Sequence, residues 1–134
     1  MIVVDTNVLA ALLLATRQTP AVVAVHTHDP EWAAPPLWRS ELRSVLVQQI
    51  RAGRLDLGAA EEITLLATDV IAHEQDVLSS AVLQLAVESG CSAYDCEFVA
   101  LAQSLDAPLV TLDRALLREF PELAIAPDGF ATGR

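Results

Sequence analysis

Lysine does not occur in this chain of 134 residues, whose eight basic residues are all arginines. Eighteen acids stand against them, for a net charge of −10. A phosphoacceptor receiver domain clusters aspartates but needs a lysine beside them, so that class is excluded. Cysteine is nearly absent as well. Cys91 and Cys96 have no second Cys or His pair at a zinc-binding spacing, which leaves them as small, partly buried thiols of a reducing compartment. That use of cysteine points to the cytoplasm. Long apolar runs are missing too. Although 53% of the residues are hydrophobic, every run is too short or too interrupted to span a bilayer. The first run starts at Ile2 with no basic lead-in, so no secretory signal is expected. Low-complexity tracts, polar linkers and solenoid-length repeats are also lacking, and residues 1–134 are expected to form one domain.

Such an acidic surface repels nucleic acid unless the negative charge is gathered where metal neutralises it. Charge alone leaves open whether the substrate is nucleic acid.

Strands and helices alternate along the chain. The pattern predicts strands over 2–5, 32–34 and 109–112, a short edge strand over 70–72, and a last strand over 123–125. Helices are expected over about 6–15, 19–28, 37–53, 58–68, 76–89 and 92–105, with a short one from Arg114. The tail from about residue 127 is expected to be loose. This alternation implies an α/β fold, a parallel sheet covered by helices on both faces.

Two of the strands end at an aspartate, Asp5 and Asp113, and each runs straight into a helix. The C-terminal edge of a parallel sheet is where such folds bind ligands. Taken alone, each aspartate reads equally well as a helix cap, and Asp95 fits a Ser92-x-x-Asp95 capping box. Helical spacing argues for more. Asp95 shares a stripe with Phe98, Val99 and Ala102, and Glu41 lies on the face of Leu37 and Val45. Carboxylates on apolar faces are rare unless paired or bound to metal. Arg39 and Arg43 project from the other side of the Glu41 helix, while Glu97 is expected to face solvent. One divalent-metal site holding Asp5, Glu41, Asp95 and Asp113 accounts for all four acids together. Asn7 and Thr111, each two residues from an aspartate, are expected to orient a carboxylate or a metal-bound water, or to serve ordinary turn roles.

The segments Val4-Asp5-Thr6-Asn7-Val8-Leu9, Pro35-Pro36-Leu37-Trp38-Arg39-Ser40-Glu41-Leu42, Ala93-Tyr94-Asp95 with Ala100-Leu101-Ala102, and Thr111-Leu112-Asp113 run in a telling order. Together they resemble the PIN-domain nucleases, and within them the VapC-type toxins of bacterial toxin–antitoxin pairs. The resemblance implies a PIN-like parallel sheet, a homodimer, and Mg²⁺- or Mn²⁺-dependent cleavage of RNA with Asp5, Glu41, Asp95 and Asp113 as the catalytic, metal-holding acids. It also implies inhibition by a VapB-type antitoxin, for which the apolar helix 6–15 is expected to be the anchor. Other roles within the resemblance are a catalytically inactive binding module and a housekeeping RNA-processing nuclease. A haloacid-dehalogenase-type phosphatase needs Asp-x-Asp, which Asp5-Thr6-Asn7 does not provide. His26 and His28 lack further ligand spacing and are not expected to bind metal, His73 is read as a surface or strand-end residue, and Trp32 and Trp38 are read as core.

Overall fold

The computed structural model describes residues 1–132. Five strands form one sheet: β1 (Ile2–Val4), β2 (Trp32–Ala34), β3 (Ile71–Glu74), β4 (Leu109–Val110) and β5 (Ala124–Ile125). All pairings are parallel, in the spatial order β3-β2-β1-β4-β5. Eight helices accompany them: α1 (Thr6–Leu13), α2 (Thr19–His28), α3 (Leu37–Arg51), α4 (Leu57–Val70), α5 (Ser79–Ser89), α6 (Ala93–Leu105), α7 (Arg114–Glu119) and α8 (Pro127–Ala131).

Successive side chains of a strand point to opposite faces of the sheet. Ile2, Val3 and Val4 are nevertheless all buried, as are Trp32, Ala33 and Ala34. Both faces are therefore covered, as expected for an all-parallel sheet. Trp32 and Trp38 are core residues, each at most 2% exposed. The sheet grows outward from β1 in both directions, first to β2 and β3, then on the other side to β4 and β5. This makes the β1–β4 junction the topological switch point, where loops diverge and leave a crevice at the strand ends.

The elements differ from the sequence pattern mainly at their ends. The β4 pairing stops at Val110, α1 stops at Leu13, and α5 begins only at Ser79. The tail is where the structure corrects the reading. Residues 127–131 form α8, started by Pro127, whose fixed φ suits a first helical position, with Asp128 in its first turn. Phe130 meets the His28 ring of α2 edge-on, centroids 5.3 Å apart, and Pro127 is buried. Phe130 and Ala131 pack against the core, which docks a tail that hydropathy alone marks as loose. The expectation for residues 133–134 lies outside the described residues.

Candidate functional site

The switch point is where Asp5 and Asp113 sit, one at the end of β1 and the other three residues beyond β4. Both are helix caps. Asp5 Oδ1 accepts the Val8 amide at 3.1 Å, and Asp113 Oδ1 accepts those of Ala115 and Leu116 at 2.8 and 3.1 Å. Capping uses one oxygen of each carboxylate and turns the carboxylates toward the crevice, so the cap and site readings hold together. Thr111 links the two acids. Its hydroxyl donates to Asp5 Oδ2, while its oxygen accepts the Asp113 amide at 3.0 Å. Thr111 thus hydrogen-bonds the Asp5 carboxylate and is fully buried.

Glu41 and Asp95 arrive from helices. The α3 face carrying Trp38, Leu42 and Leu46 packs inward, and Glu41 lies at its margin, where Thr6 Oγ1 donates to its Oε1 at 2.7 Å. Ser92 caps α6 by accepting the Asp95 amide at 3.0 Å, which fixes Asp95 in the first turn. Among the described residues no donor reaches Glu41 Oε2. All four acids line one cavity of about 210 Å³, together with Thr6, Asn7, Ser44, Val45 and Phe98.

Electrostatics marks the cavity as strained for anions. Burial pushes the Asp5 carboxyl up to about 6; the Thr111 and Val8 hydrogen bonds oppose this, and the charges of Asp113 and Asp95 add to it. Burial also raises Glu41, against the Thr6 hydrogen bond and with help from Asp95. Asp95 is raised by burial and by Asp113, against a Ser92 hydrogen bond. Negative charges that hinder one another's ionisation are what a cation relieves.

Among the described residues no three His, Cys, Asp or Glu side chains are already drawn together tightly enough to hold an ion. The donor set nonetheless suits a hard cation. Mg²⁺ commonly takes one or two carboxylates and keeps several waters, and the cavity offers uncommitted oxygens around room for them.

Other expectations meet mixed outcomes. Asn7 lines the cavity but is exposed, with no side-chain hydrogen bond among the described residues. Glu97 is corrected. It is half-buried rather than solvent-facing, and burial and Glu41 raise its carboxyl, because α5 packs against α6 and shields that side. The α1 anchor is corrected too, since Val8, Leu9, Ala10 and Ala11 are buried in the core. His26 packs edge-on against Trp32, ring centroids 5.1 Å apart, and His28 packs against Phe130. His73 lies exposed on β3 against Glu31, at 2.5 Å. Cys96 is buried and Cys91 partly so. Thr6 was missed by the sequence reading. Its position directly after Asp5, in the first turn of α1, was the available signal.

The model of the PIN domain family matches residues 2–123. The chain belongs to the PIN domain family. It is 29% identical over 131 residues to Ribonuclease VapC3 of Pyrobaculum aerophilum, covering 91% of this chain and 96% of that one. The crystal structure of PAE2754 from Pyrobaculum aerophilum superposes with a TM-score of 0.78 at 27% identity, over 97% of this chain and 92% of that chain. A toxin–antitoxin complex from Klebsiella pneumoniae superposes with a TM-score of 0.70 at 19% identity, over 95% of this chain and 98% of that one, a likeness of fold.

Proposed function

We infer that this PIN domain is a VapC-type endoribonuclease, the toxin of a toxin–antitoxin pair, cutting RNA phosphodiester bonds with Mg²⁺ or Mn²⁺ held by Asp5, Glu41, Asp95 and Asp113. The observation that carries this reading is the convergence of those four acids on one cavity at the switch point. The likeness to a curated ribonuclease over nearly the whole chain supports it. The reading includes one domain, a homodimer, a cytoplasmic location and a VapB-type antitoxin. No helix among the described residues is long and apolar enough to cross a membrane.

When bound, a divalent ion activates water and offsets charge at the scissile phosphate. The protein supplies placement. The Asp113 amide, Thr111 hydroxyl and Asp5 carboxylate form one hydrogen-bonded chain that holds the two strand-end acids in register. Thr6 fixes one Glu41 oxygen and leaves the other free, and the Ser92 cap sets the backbone under Asp95. In the ion-free chain the raised pKa lets Asp5 keep a proton at mildly acidic pH, and this proton would have to leave for the carboxylate to hold an ion.

Antitoxin-free protein is expected to cut structured RNA with Mn²⁺ and to stop on addition of EDTA. Asp5→Asn and Asp95→Asn are expected to lower the rate by about a hundredfold or more while the far-ultraviolet circular dichroism stays native. Cleavage that survives chelation would overturn the metal mechanism.

A further inference from the structure

An anionic substrate must be led to four carboxylates on a molecule of net charge −10, so the placement of the few cations matters. Most of the arginines are committed or remote. Arg39 donates to Glu74 at 2.7 Å and lies over the Trp38 ring at 4.8 Å. Arg43 lines a separate cavity between α3 and α4 with Thr64, Leu65 and Thr68. Arg51 lies about 15 Å along α3 from Glu41, at 1.5 Å per residue, and Arg54, in the turn after α3, donates to Gln49 Oε1 at 2.9 Å. Arg17 follows the end of α1, which starts at Asp5 and runs away from the site.

Arg114 differs. It is the first residue of α7, adjacent to Asp113, exposed, and without an ion-pair partner among the described residues. Four residues on, Arg118 occupies the same helix face. It too is exposed, its side chain 69% accessible, and its contact with Glu119 is loose at 3.6 Å. Leu116, between them in sequence, points inward and is buried. The outer face of α7 is thus a basic stripe that begins beside one of the four site acids.

We propose that this stripe is the path of the RNA backbone, with Arg114 holding the phosphate next to the cleaved bond and Arg118 one farther along. The proposal rests on the nuclease reading and adds the residues that recruit its substrate. Glu119 and Glu122 flank the far end of the stripe, so Arg114 carries the larger share. Guanidinium suits the task because its fork matches phosphate oxygens.

The test measures RNA cleavage at several salt concentrations for the wild type, Arg114→Gln, Arg118→Gln and the remote control Arg51→Gln. Arg114→Gln is expected to raise KM about three- to tenfold with kcat nearly unchanged, and to reduce the salt slope of binding by about one. Arg118→Gln is expected to do so more weakly, and Arg51→Gln not at all. The Mn²⁺-induced rise in melting temperature should be the same in all four proteins, which separates lost substrate contact from a damaged metal site. Wild-type KM and salt slope in Arg114→Gln, or an equal effect from Arg51→Gln, overturns the α7 path while leaving the nuclease reading intact. A wild type that neither binds nor cuts RNA overturns both.

Discussion

Asp5 concentrates the physics of the site in one side chain. Burial pushes its carboxyl up to about 6 in the folded chain, from 3.8 for an unperturbed aspartate. Between those values the folded state binds more protons than the unfolded one, so raising the pH through about 4 to 6 lowers the stability of ion-free protein. The loss approaches about 3 kcal/mol and is nearly complete by about pH 7. Asp5→Asn is expected to remove that component, melting at a higher temperature than the wild type at pH 7.5 and with a flatter profile between pH 4 and 6. Thermal melts across this range check both signs. A variant less stable than the wild type at pH 7.5 would mean that the Asp5 cap on α1 outweighs the cost of its buried charge. Metal affinity should move the opposite way with pH, weakening below about pH 6 as protons compete for the same oxygens.

Secondary-structure elements deliver the acids, and their caps are part of the site. Ser92→Ala removes the cap of α6 and is expected to cost about 1 kcal/mol. It should also weaken Mn²⁺ binding, because Asp95 sits in the turn that Ser92 fixes. Asp56 caps α4 in the same manner, accepting the Ala59 amide at 2.7 Å, but far along the chain from the four acids. Asp56→Ala should therefore cost similar stability and leave Mn²⁺ affinity alone, a contrast that calorimetry with parallel melts resolves. The α3 and α6 placements were legible because a carboxylate breaking an apolar stripe is a strong anomaly in a 3.6-residue period. The strand-end placements of Asp5 and Asp113 were legible because each apolar run halts at an acid. Glu97 was not legible. It lies on the opposite side of α6 from Asp95, and its burial comes from elements distant in sequence, Pro36 and the start of α5, which line a groove with it. Likewise α8 depends on Phe130 finding His28, a contact between residues 102 apart that no local pattern encodes.

Across the whole molecule, the net charge of −10 sets the terms for partners. A basic polypeptide is attracted where RNA is repelled, and an arginine placed among Asp5, Glu41, Asp95 and Asp113 would pair the acids and exclude metal at once. An inhibitory antitoxin is therefore expected to compete with Mn²⁺. Because α1 is buried, its apolar anchor must lie on other helices, where Leu65 and Leu66 of α4 or Leu83 and Val87 of α5 are exposed. Equal Mn²⁺ affinity in the free protein and the complex would rule out inhibition by site occupation. Beneath these expectations lies the claim that four carboxylates, set at one sheet edge by unrelated elements, act as a single metal site. Isothermal titration of Mn²⁺ into the wild type, Glu41→Gln and Asp95→Asn at pH 7.5 tests it most directly. The account predicts saturable binding in the wild type and at least tenfold weaker binding in each variant. Binding of equal strength in all three proteins would contradict it.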